Sequence, residues 1–229
     1  MVITGARSGI GRGMAEYFIA KGYRVSGCSR GASDLESGFY DHAQVDVGDE
    51  KQVVGWMRSI KSHHGAIDVL VCNAGLAPAA TLAMMTPGDV LEPLLRANIC
   101  GTYYACREAA KVMALRRRGR IITISSMAVG LHEEGTSAYS ASKSAVVEMT
   151  KIMAKELAPL GITCNVMAPS MIMTEAVKVL GERVVARALS KLTLQRVVTM
   201  EEICHVIAFF AAPEGACITG QVIHMGLVT

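Results

Sequence analysis

The stretch Thr4-Gly5-Ala6-Arg7-Ser8-Gly9-Ile10-Gly11 lies near the start of the chain and decides the fold. It follows a short apolar run and opens a helical pattern over residues 10–21, so it predicts the turn from a first strand into a first helix. Glycines in such a turn let the backbone approach a pyrophosphate, and the helix N-terminus supplies unpaired N–H groups. A glycine triplet alone is a weak signal, and a tight turn that binds no ligand is the alternative.

Outward from this turn, short β-branched runs alternate with helical patterns. Most of the runs, such as IITI at residues 121–124, are apolar at successive positions, as strands covered on both faces must be. The alternation predicts an α/β fold, a Rossmann-type doubly wound parallel sheet of about seven strands. The predicted strands span residues 1–4, 23–28, 43–46, 67–72, 120–125, 163–167 and 221–224, and the predicted helices span residues 10–21, 50–63, 90–117, 137–158 and 200–211.

Residues 1–229 are predicted to form a single domain, because no internal repeat, low-complexity tract or linker divides them. The long segment without a clear strand is residues 170–199, where a helical pattern over 176–191 is flanked by turn-forming or polar residues. In a sheet whose ligand lies at the carboxyl ends of the strands, such an insertion is a candidate substrate lid.

The composition excludes disorder, since 51% of the residues are hydrophobic, 19% are charged and the net charge is only +3. So small a positive balance predicts no nucleic-acid partner. One dense basic cluster is too small to change that prediction: Arg116, Arg117, Arg118 and Arg120.

The sequence also predicts neither a membrane span nor a metal site. The apolar stretch over residues 69–85 is interrupted by Asn73, Pro78 and Thr81, and the N-terminus lacks the pattern of a secretory signal, so we expect a cytoplasmic protein. Seven cysteines without a C-x-x-C pair fit neither a disulfide framework nor a zinc site. We expect most of them to be small buried hydrophobic residues.

A second group of polar residues comprises Ser126, Tyr139 and Lys143. Tyr139 and Lys143 are four residues apart, so they share one face of the predicted helix. An ammonium beside a phenol favours the phenolate and would lower the pKa of Tyr139, which makes the tyrosine a usable proton donor near neutral pH. Taken alone, a Y-x-x-x-K pair is common on solvated helix faces.

Several motifs occur in order along the whole chain: the glycine-rich turn, Asn73-Ala74-Gly75, Asn98, a serine thirteen residues before the Tyr139-Ser-Ala-Ser-Lys143 segment, and Ala168-Pro169. In this joint pattern the chain resembles the short-chain dehydrogenase/reductase family. Within that family it is most similar to the 3-oxoacyl-(acyl-carrier-protein) reductases, through residues 119–126, 139–143 and 218–221. The resemblance implies an NAD(P)-dependent enzyme that transfers hydride between a nicotinamide and a carbonyl or secondary alcohol.

The resemblance assigns catalytic roles to Asn98, Ser126, Tyr139 and Lys143. Tyr139 is the general acid or base at the carbonyl oxygen, and Ser126 hydrogen-bonds the same oxygen. Lys143 lowers the pKa of the tyrosine and binds the nicotinamide ribose, while Asn98 holds a water that links Lys143 to solvent. Ser125 competes for the serine role, but its spacing to Tyr139 is less favourable.

The resemblance also assigns a dinucleotide site. The glycine-rich turn would line the pyrophosphate, Asp46 would contact the adenine, and Thr174 would reach the nicotinamide carboxamide. The family's Pro-Gly pair is Pro169-Ser170 in this chain, which changes the local backbone requirements. The predicted cofactor-binding residues are Gly5, Arg7, Ser8, Gly9, Ile10, Gly11, Ser29, Arg30, Asp46, Val47, Asn73, Ala74, Gly75, Tyr139, Lys143, Pro169, Ile172 and Thr174.

The end of the second strand predicts NADP as the cofactor, with NAD as the alternative. NAD-specific members of the family place an acidic residue there, whereas this chain has Ser29 and Arg30, and an arginine fork binds a 2′-phosphate well. Arg7 would add positive charge, although another common basic position of the family is occupied by Ser8. Residues 31–42 are too few for the full helix that the family usually has there.

The substrate and the assembly are less defined. Met127 and Val129 predict an apolar wall, and residues 116–118 could steer an acidic acyl carrier or simply complement a helix dipole. Leu160 stands where carrier-protein reductases tend to have a basic residue. We therefore expect a 3-oxoacyl thioester or similar ketone, with a polar, sugar-like or secondary-metabolite ketone, or a catalytically silent dinucleotide sensor, as alternatives. A homotetramer is expected first and a homodimer second.

Overall fold

A computed structural model describes residues 1–173, 177 and 181–229. Its strands are β1 (Val2–Thr4), β2 (Val25–Ser29), β3 (Tyr40–Gln44), β4 (Val69–Cys72), β5 (Gly119–Ile124), β6 (Ile162–Ala168) and β7 (Val222–His224). They form one parallel sheet in the order β3-β2-β1-β4-β5-β6-β7. The Rossmann-type doubly wound sheet is confirmed, and the strand order reverses between β1 and β4, where such sheets bind ligands.

The helices cover both faces of the sheet. They are α1 (Gly9–Ala20), α2 (Glu50–His64), α3 (Gly88–Leu95), α4 (Gly101–Ala114), α5 (Ala128–Leu131), α6 (Ser137–Leu157), α7 (Glu182–Leu189) and α8 (Met200–Ala211). One buried cluster joins the sheet to α2, α4 and α6, and a second joins the opposite face to α1 and α8. No helix within the described ranges is long and apolar enough to cross a membrane.

Local signals in the sequence explain where several of these elements begin and end. Asp49 caps α2 by accepting hydrogen bonds from the N–H groups of its first turn, and Gly65 ends that helix in the left-handed conformation. Thr199 and Glu202 form a capping box at the start of α8. All residues of β4 and β6 are buried, and β4 is apolar throughout. β6 also buries two polar residues, Thr163 and Asn165, and the Asn165 amide donates to Ile218 O at 2.8 Å.

The third strand lies earlier than predicted. The sequence predicts it over residues 43–46, whereas β3 spans Tyr40–Gln44 and pairs with β2 from Val25 opposite Tyr40 to Ser29 opposite Gln44. β3 is an edge strand with one partner, and none of its residues is fully buried. Its exposed polar residues make the strand difficult to predict from the sequence. Residues 31–42 contain no helix, as expected: no helix forms over 31–39, and β3 begins at Tyr40.

The long helix predicted over residues 90–117 is divided. A π-helical turn at Arg96–Cys100 separates α3 from α4, and α4 ends at Ala114. Asn98 is buried within that turn, at a point where π turns often mark functional sites. The helix predicted over residues 176–191 is described as α7 alone, since residues 174–176 and 178–180 lie outside the described part of the chain.

Candidate functional site

A cleft of about 1140 Å³ lies at the carboxyl ends of the central strands. Its wall contains most of the residues predicted to bind a dinucleotide: Gly5, Arg7, Ser8, Gly9, Ile10, Ser29, Arg30, Asp46, Val47, Asn73, Ala74, Gly75, Tyr139, Lys143, Pro169 and Ile172. Thr174 lies outside the described residues, and Gly11 and Asn98 are buried behind the wall. The site therefore occupies the crevice expected for this topology.

The glycine-rich turn is joined to the end of β4 by hydrogen bonds. The Thr4 hydroxyl oxygen accepts from the N–H groups of Asn73 and Ala74, both at 3.0 Å. The Asn73 amide nitrogen donates to Thr4 O at 3.0 Å. Gly5 has a φ of +71°, and a Cβ there would lie 2.9 Å from Ala74 Cα, so a side chain is excluded on both counts.

Gly11 is also required by close packing at the glycine-rich turn. A Cβ at Gly11 would lie 2.1 Å from Gly5 O, which explains why the third glycine is needed although it does not line the cleft. The N-cap residue Ser8 makes no side-chain capping bond within the described structure, so the first N–H groups of α1 face the cleft uncapped. An uncapped helix N-terminus is suited to a phosphate group.

At the far end of the cleft, Ser29 is held in a chain of hydrogen bonds. Its hydroxyl donates to Gly31 O at 2.7 Å and lies 2.9 Å from His42 Nε2, while Tyr40 Oη lies 2.7 Å from His42 Nδ1. Because the Ser29 proton is directed at Gly31 O, Arg7 and Arg30 are the donors free to approach a phosphate here. Both arginines are exposed on the cleft wall.

His42 is a residue of this end that sequence reasoning missed. Burial lowers its pKa, and the positive charge of Arg7 acts in the same direction, against a hydrogen bond to Gly31 O that raises it. The neutral imidazole can accept from Tyr40 at Nδ1 and donate from Nε2. Its placement depends on the register of β3 with β2, so no local motif could have identified it.

At the opposite end, Lys143 is only 6% exposed and its ammonium donates to Ile124 O at 2.9 Å. Burial lowers the pKa of Lys143 to about 8. Ser125 is buried and its hydroxyl donates to Lys143 O at 3.2 Å, whereas the less buried Ser126 keeps its hydroxyl at the cleft. This geometry favours Ser126 over Ser125 as the serine that meets a substrate.

The expected effect of Lys143 on Tyr139 is absent from this structure. Burial raises the pKa of Tyr139, and a hydrogen bond with Ser126 opposes that shift. The lysine ammonium is directed at the carbonyl oxygen of Ile124 instead of the phenol. Sharing a helix face therefore places the two side chains in one cavity wall but does not pair them.

Asn98 holds the loop that follows β4. Its Oδ1 accepts from Leu76 N at 2.7 Å, and its Nδ2 donates to Leu76 O at 3.0 Å and to Ser142 Oγ at 2.9 Å. A Cβ at Gly75 would lie 2.9 Å from Asn98 Oδ1 and 3.4 Å from Lys143 Nζ, so both side chains crowd the same glycine. Sequence reasoning missed Ser142, whose hydroxyl donates to Tyr139 O at 2.7 Å.

The segment that follows β6 forms another wall of the cleft. Pro169 O accepts from Met127 N at 3.1 Å, and Ile172 forms a parallel bridge with Val198. Ser170, which replaces the family's glycine, has a buried hydroxyl without a hydrogen-bond partner among the described residues. On the remaining side, α3 and the π turn contribute Asp89, Glu92 and Arg96, which the sequence did not single out.

The described part of the predicted lid is attached to its surroundings at two further points. Lys191 Nζ lies 2.8 Å from Glu133 Oε1, and the Thr193 hydroxyl accepts from Val228 N at 3.1 Å. Glu133 thus lies within ion-pair distance of the described part of the lid. Within the described ranges, no group of three or more His, Cys, Asp or Glu side chains could hold a metal ion, and Cys28, Cys72, Cys106, Cys164 and Cys204 are buried free thiols.

The residues of the cleft fit an extended dinucleotide. An uncapped helix N-terminus lies in the middle of the wall, two exposed arginines lie at one end, and Ser126, Tyr139 and Lys143 lie at the other. The volume exceeds that of an ordinary small-molecule pocket, which leaves room for a second ligand beside Tyr139.

Comparison with known proteins gives matches over nearly the whole chain. The family model described as enoyl-(acyl carrier protein) reductase matches residues 5–226. The 3-oxoacyl-(acyl-carrier-protein) reductase FabG of Vibrio harveyi is 32% identical over 230 residues, which cover 98% of this chain and 94% of that protein.

Two solved structures share the fold. ElxO with NADP bound has a TM-score of 0.91 and 31% identity, covering 97% of this chain and 95% of that chain. The aldohexose dehydrogenase AldT of Thermoplasma acidophilum in ligand-free form has a TM-score of 0.88 and 32% identity, covering 99% and 92% of the two chains. A solved protein of the same fold therefore contains bound NADP.

Proposed function

Because the chain belongs to the short-chain dehydrogenase/reductase family and is an NAD(P)-dependent oxidoreductase, we propose that it reduces the ketone of a 3-oxoacyl thioester or a similar carbonyl compound with NADPH. The observation that carries the proposal is the grouping of Ser126, Tyr139 and Lys143 at one end of a cleft whose other end presents Arg7 and Arg30. The similarity to FabG supports the thioester, and the similarity to ElxO supports NADP.

When bound, NADPH would supply the hydride that the carbonyl carbon accepts. Tyr139 donates its phenolic proton to the carbonyl oxygen, and Ser126 donates a hydrogen bond to the same atom. Lys143, one helical turn beyond Tyr139, keeps a positive charge in the wall that stabilises the phenolate left after proton transfer. Asn98 fixes the loop that borders Lys143 through its three hydrogen bonds to Leu76 and Ser142.

Selection of NADPH over NADH is assigned to Arg7 and Arg30. Neither residue has a carboxylate partner among the ion pairs of the described chain, so both guanidinium groups are available to a 2′-phosphate. Ser29 is not a donor to this phosphate in the structure, since its proton is committed to Gly31 O.

Residues 170–199 are proposed to act as the substrate lid. Their described parts are joined to the substrate side of the cleft through the Lys191–Glu133 ion pair and the Thr193–Val228 hydrogen bond. We also propose a cytoplasmic enzyme that assembles as a homotetramer or homodimer, as the resemblance implies.

A polar, sugar-like ketone is the second candidate substrate, and the similarity to AldT favours it. Leu160, in place of a basic residue, weakens contact with an acyl carrier on that side. A catalytically silent dinucleotide sensor is disfavoured, because a sensor would not need Ser126 and Tyr139 at the cleft.

Substitution of Tyr139 by Phe tests the proposal. We expect Tyr139→Phe to lower kcat by at least about 100-fold, because the proton donor is lost. The Kd for NADPH, measured by fluorescence titration, should stay within about twofold, because the ring and its packing remain. Reduction of a panel of 3-oxoacyl thioesters, β-keto esters and sugars identifies the substrate class. Unchanged turnover in the variant would exclude Tyr139 as the proton donor.

A further inference from the structure

Two strands contact the carbonyl oxygen of Gly31, at the end of the cleft that carries the exposed arginines. The Ser29 hydroxyl, at the end of β2, donates to this oxygen at 2.7 Å. His42 Nε2 lies 3.1 Å from the same oxygen and reaches it from β3. Arg30 is the middle residue of the turn between Ser29 and Gly31, and its side chain is exposed on the cleft wall. The path of the backbone through Arg30 therefore depends on a carbonyl group that β3 supports.

Arg7 lies over the same glycine. A Cβ on Gly31 would lie 2.6 Å from Arg7 Nη1 and 3.2 Å from Arg7 Cζ, so the guanidinium occupies the space that a side chain would need. Burial lowers the pKa of His42 and the charge of Arg7 lowers it further, against the hydrogen bond to Gly31 O, so the imidazole is neutral near neutral pH. A neutral imidazole can support the turn without repelling Arg7. The turn thus positions both arginines, since Arg30 is part of it and Arg7 packs on it.

Tyr40 fixes the imidazole through its second nitrogen. Tyr40 Oη lies 2.7 Å from His42 Nδ1, and the two residues share one face of β3 because they are two positions apart. A Cβ on Gly27 would overlap Tyr40 Oη, so the phenol packs directly against the backbone of β2. A neutral imidazole that accepts from Tyr40 at Nδ1 carries its proton on Nε2, and this tautomer can donate to Gly31 O.

We propose that His42 is a positioning residue for cofactor selection, which holds the Gly31 carbonyl and so places Arg7 and Arg30 for a 2′-phosphate. The proposal rests on the proposed function, because it takes these two arginines as the partners of that phosphate. His42 is not among the described residues that line the cleft, so it acts through the turn and not by contact with the cofactor. NADH lacks the 2′-phosphate, and its binding should therefore not depend on His42.

Substitution of His42 tests this role through the preference for NADPH, which is the Kd for NADH divided by the Kd for NADPH. In fluorescence titrations of His42→Ala, we expect the Kd for NADPH to rise about fivefold, as for the loss of one ordinary hydrogen bond, while the Kd for NADH changes less than about twofold. His42→Gln keeps an N–H donor in place of Nε2 and should restore the Kd for NADPH to within about twofold of its original value. His63→Ala, at an exposed position of α2, is the matched control and should change neither Kd. Equal losses of affinity for both dinucleotides in His42→Ala overturn the proposal, because they indicate a general loss of structure.

A smaller substitution decides the question if His42→Ala does not fold. Tyr40→Phe removes only the hydroxyl that fixes the His42 tautomer. It should raise the Kd for NADPH about two- to threefold and leave the Kd for NADH unchanged. An unchanged preference for NADPH in Tyr40→Phe, with His42→Ala unfolded or equally without effect, overturns the proposal.

A protein that carries both Arg7→Ala and Arg30→Ala separates this role from the proposed function. The preference for NADPH should fall at least about tenfold in that protein, and adding His42→Ala should lower it further by less than about twofold. If the preference falls with the arginines but His42→Ala lowers it equally in both backgrounds, the role of His42 fails while the proposed selection stands. If the preference does not fall when both arginines are removed, the proposed selection itself fails, and the role of His42 fails with it.

Discussion

The middle of the cleft, at the glycine-rich turn, and its substrate end are stabilised by different means. Around the glycine-rich turn, backbone groups of Thr4, Gly5 and residues 73–74 lie in direct contact, so the geometry depends on the absence of side chains. At the substrate end, separate loops meet through single side-chain or loop contacts, such as Lys191 with Glu133. The glycine-rich turn tolerates almost no substitution, whereas the substrate end can change its lining while the sheet stays intact. A fold of this kind can keep one cofactor site and vary its substrates.

The largest effect on stability is expected at the glycine-rich turn. Gly11→Ala places a methyl group 2.1 Å from Gly5 O, and we expect the free energy of unfolding to fall by about 2 kcal/mol or more and NADPH affinity to fall with it. Urea denaturation and fluorescence titration measure the two quantities. Gly55→Ala is the control, since a Cβ there meets nothing within 4 Å, and it should raise stability by up to about 1 kcal/mol. Equal effects of the two substitutions would contradict the packing role of Gly11.

An intermediate effect is expected at the end of the cleft that carries Arg7 and Arg30, where we propose that charge, and not packing, selects the cofactor. Arg30→Ala should raise the Kd for NADPH about tenfold and leave the Kd for NADH within about twofold, because only the 2′-phosphate loses its partner. Arg24→Ala removes the same charge from an exposed position at the amino end of β2 and serves as the control. A parallel loss of affinity for both dinucleotides in Arg30→Ala would argue against the assigned specificity.

The smallest effect is expected at the contact between Lys191 and Glu133 at the substrate end. Lys191→Ala breaks a partly exposed ion pair, so stability should change by less than about 1 kcal/mol. If the lid is anchored there, KM for the ketone should rise about two- to threefold while the Kd for NADPH is unchanged, and Lys191→Arg should restore KM. A change in NADPH affinity larger than the change in KM would contradict the view that Lys191 acts on the substrate end and not on the cofactor site.

The same difference explains how far the sequence could be interpreted. The turn at Gly5, the serine near β5 and the Tyr139–Lys143 pair are local patterns, so their positions on the cleft could be predicted. The residues that were missed, such as His42 and Ser142, depend on contacts between distant segments. The third strand was misplaced because an edge strand with alternating polar residues gives a weaker hydrophobic signal than a central one.

The buried Lys143 also has a consequence for proton uptake on unfolding. Its pKa is lowered from 10.5 to about 8 in the folded chain, so between about pH 8 and 10.5 the unfolded chain binds a proton that the folded chain has released. Below pH 8 the folded protein carries the buried ammonium, which lowers the free energy of unfolding. This loss of stability is recovered as the pH rises from about 8 toward 10.5, because the folded protein releases the proton first. Keeping a cation beside the ketone site thus opposes stability under neutral conditions, and a neutral side chain of similar volume at this position would make the fold stronger while it removes the chemistry.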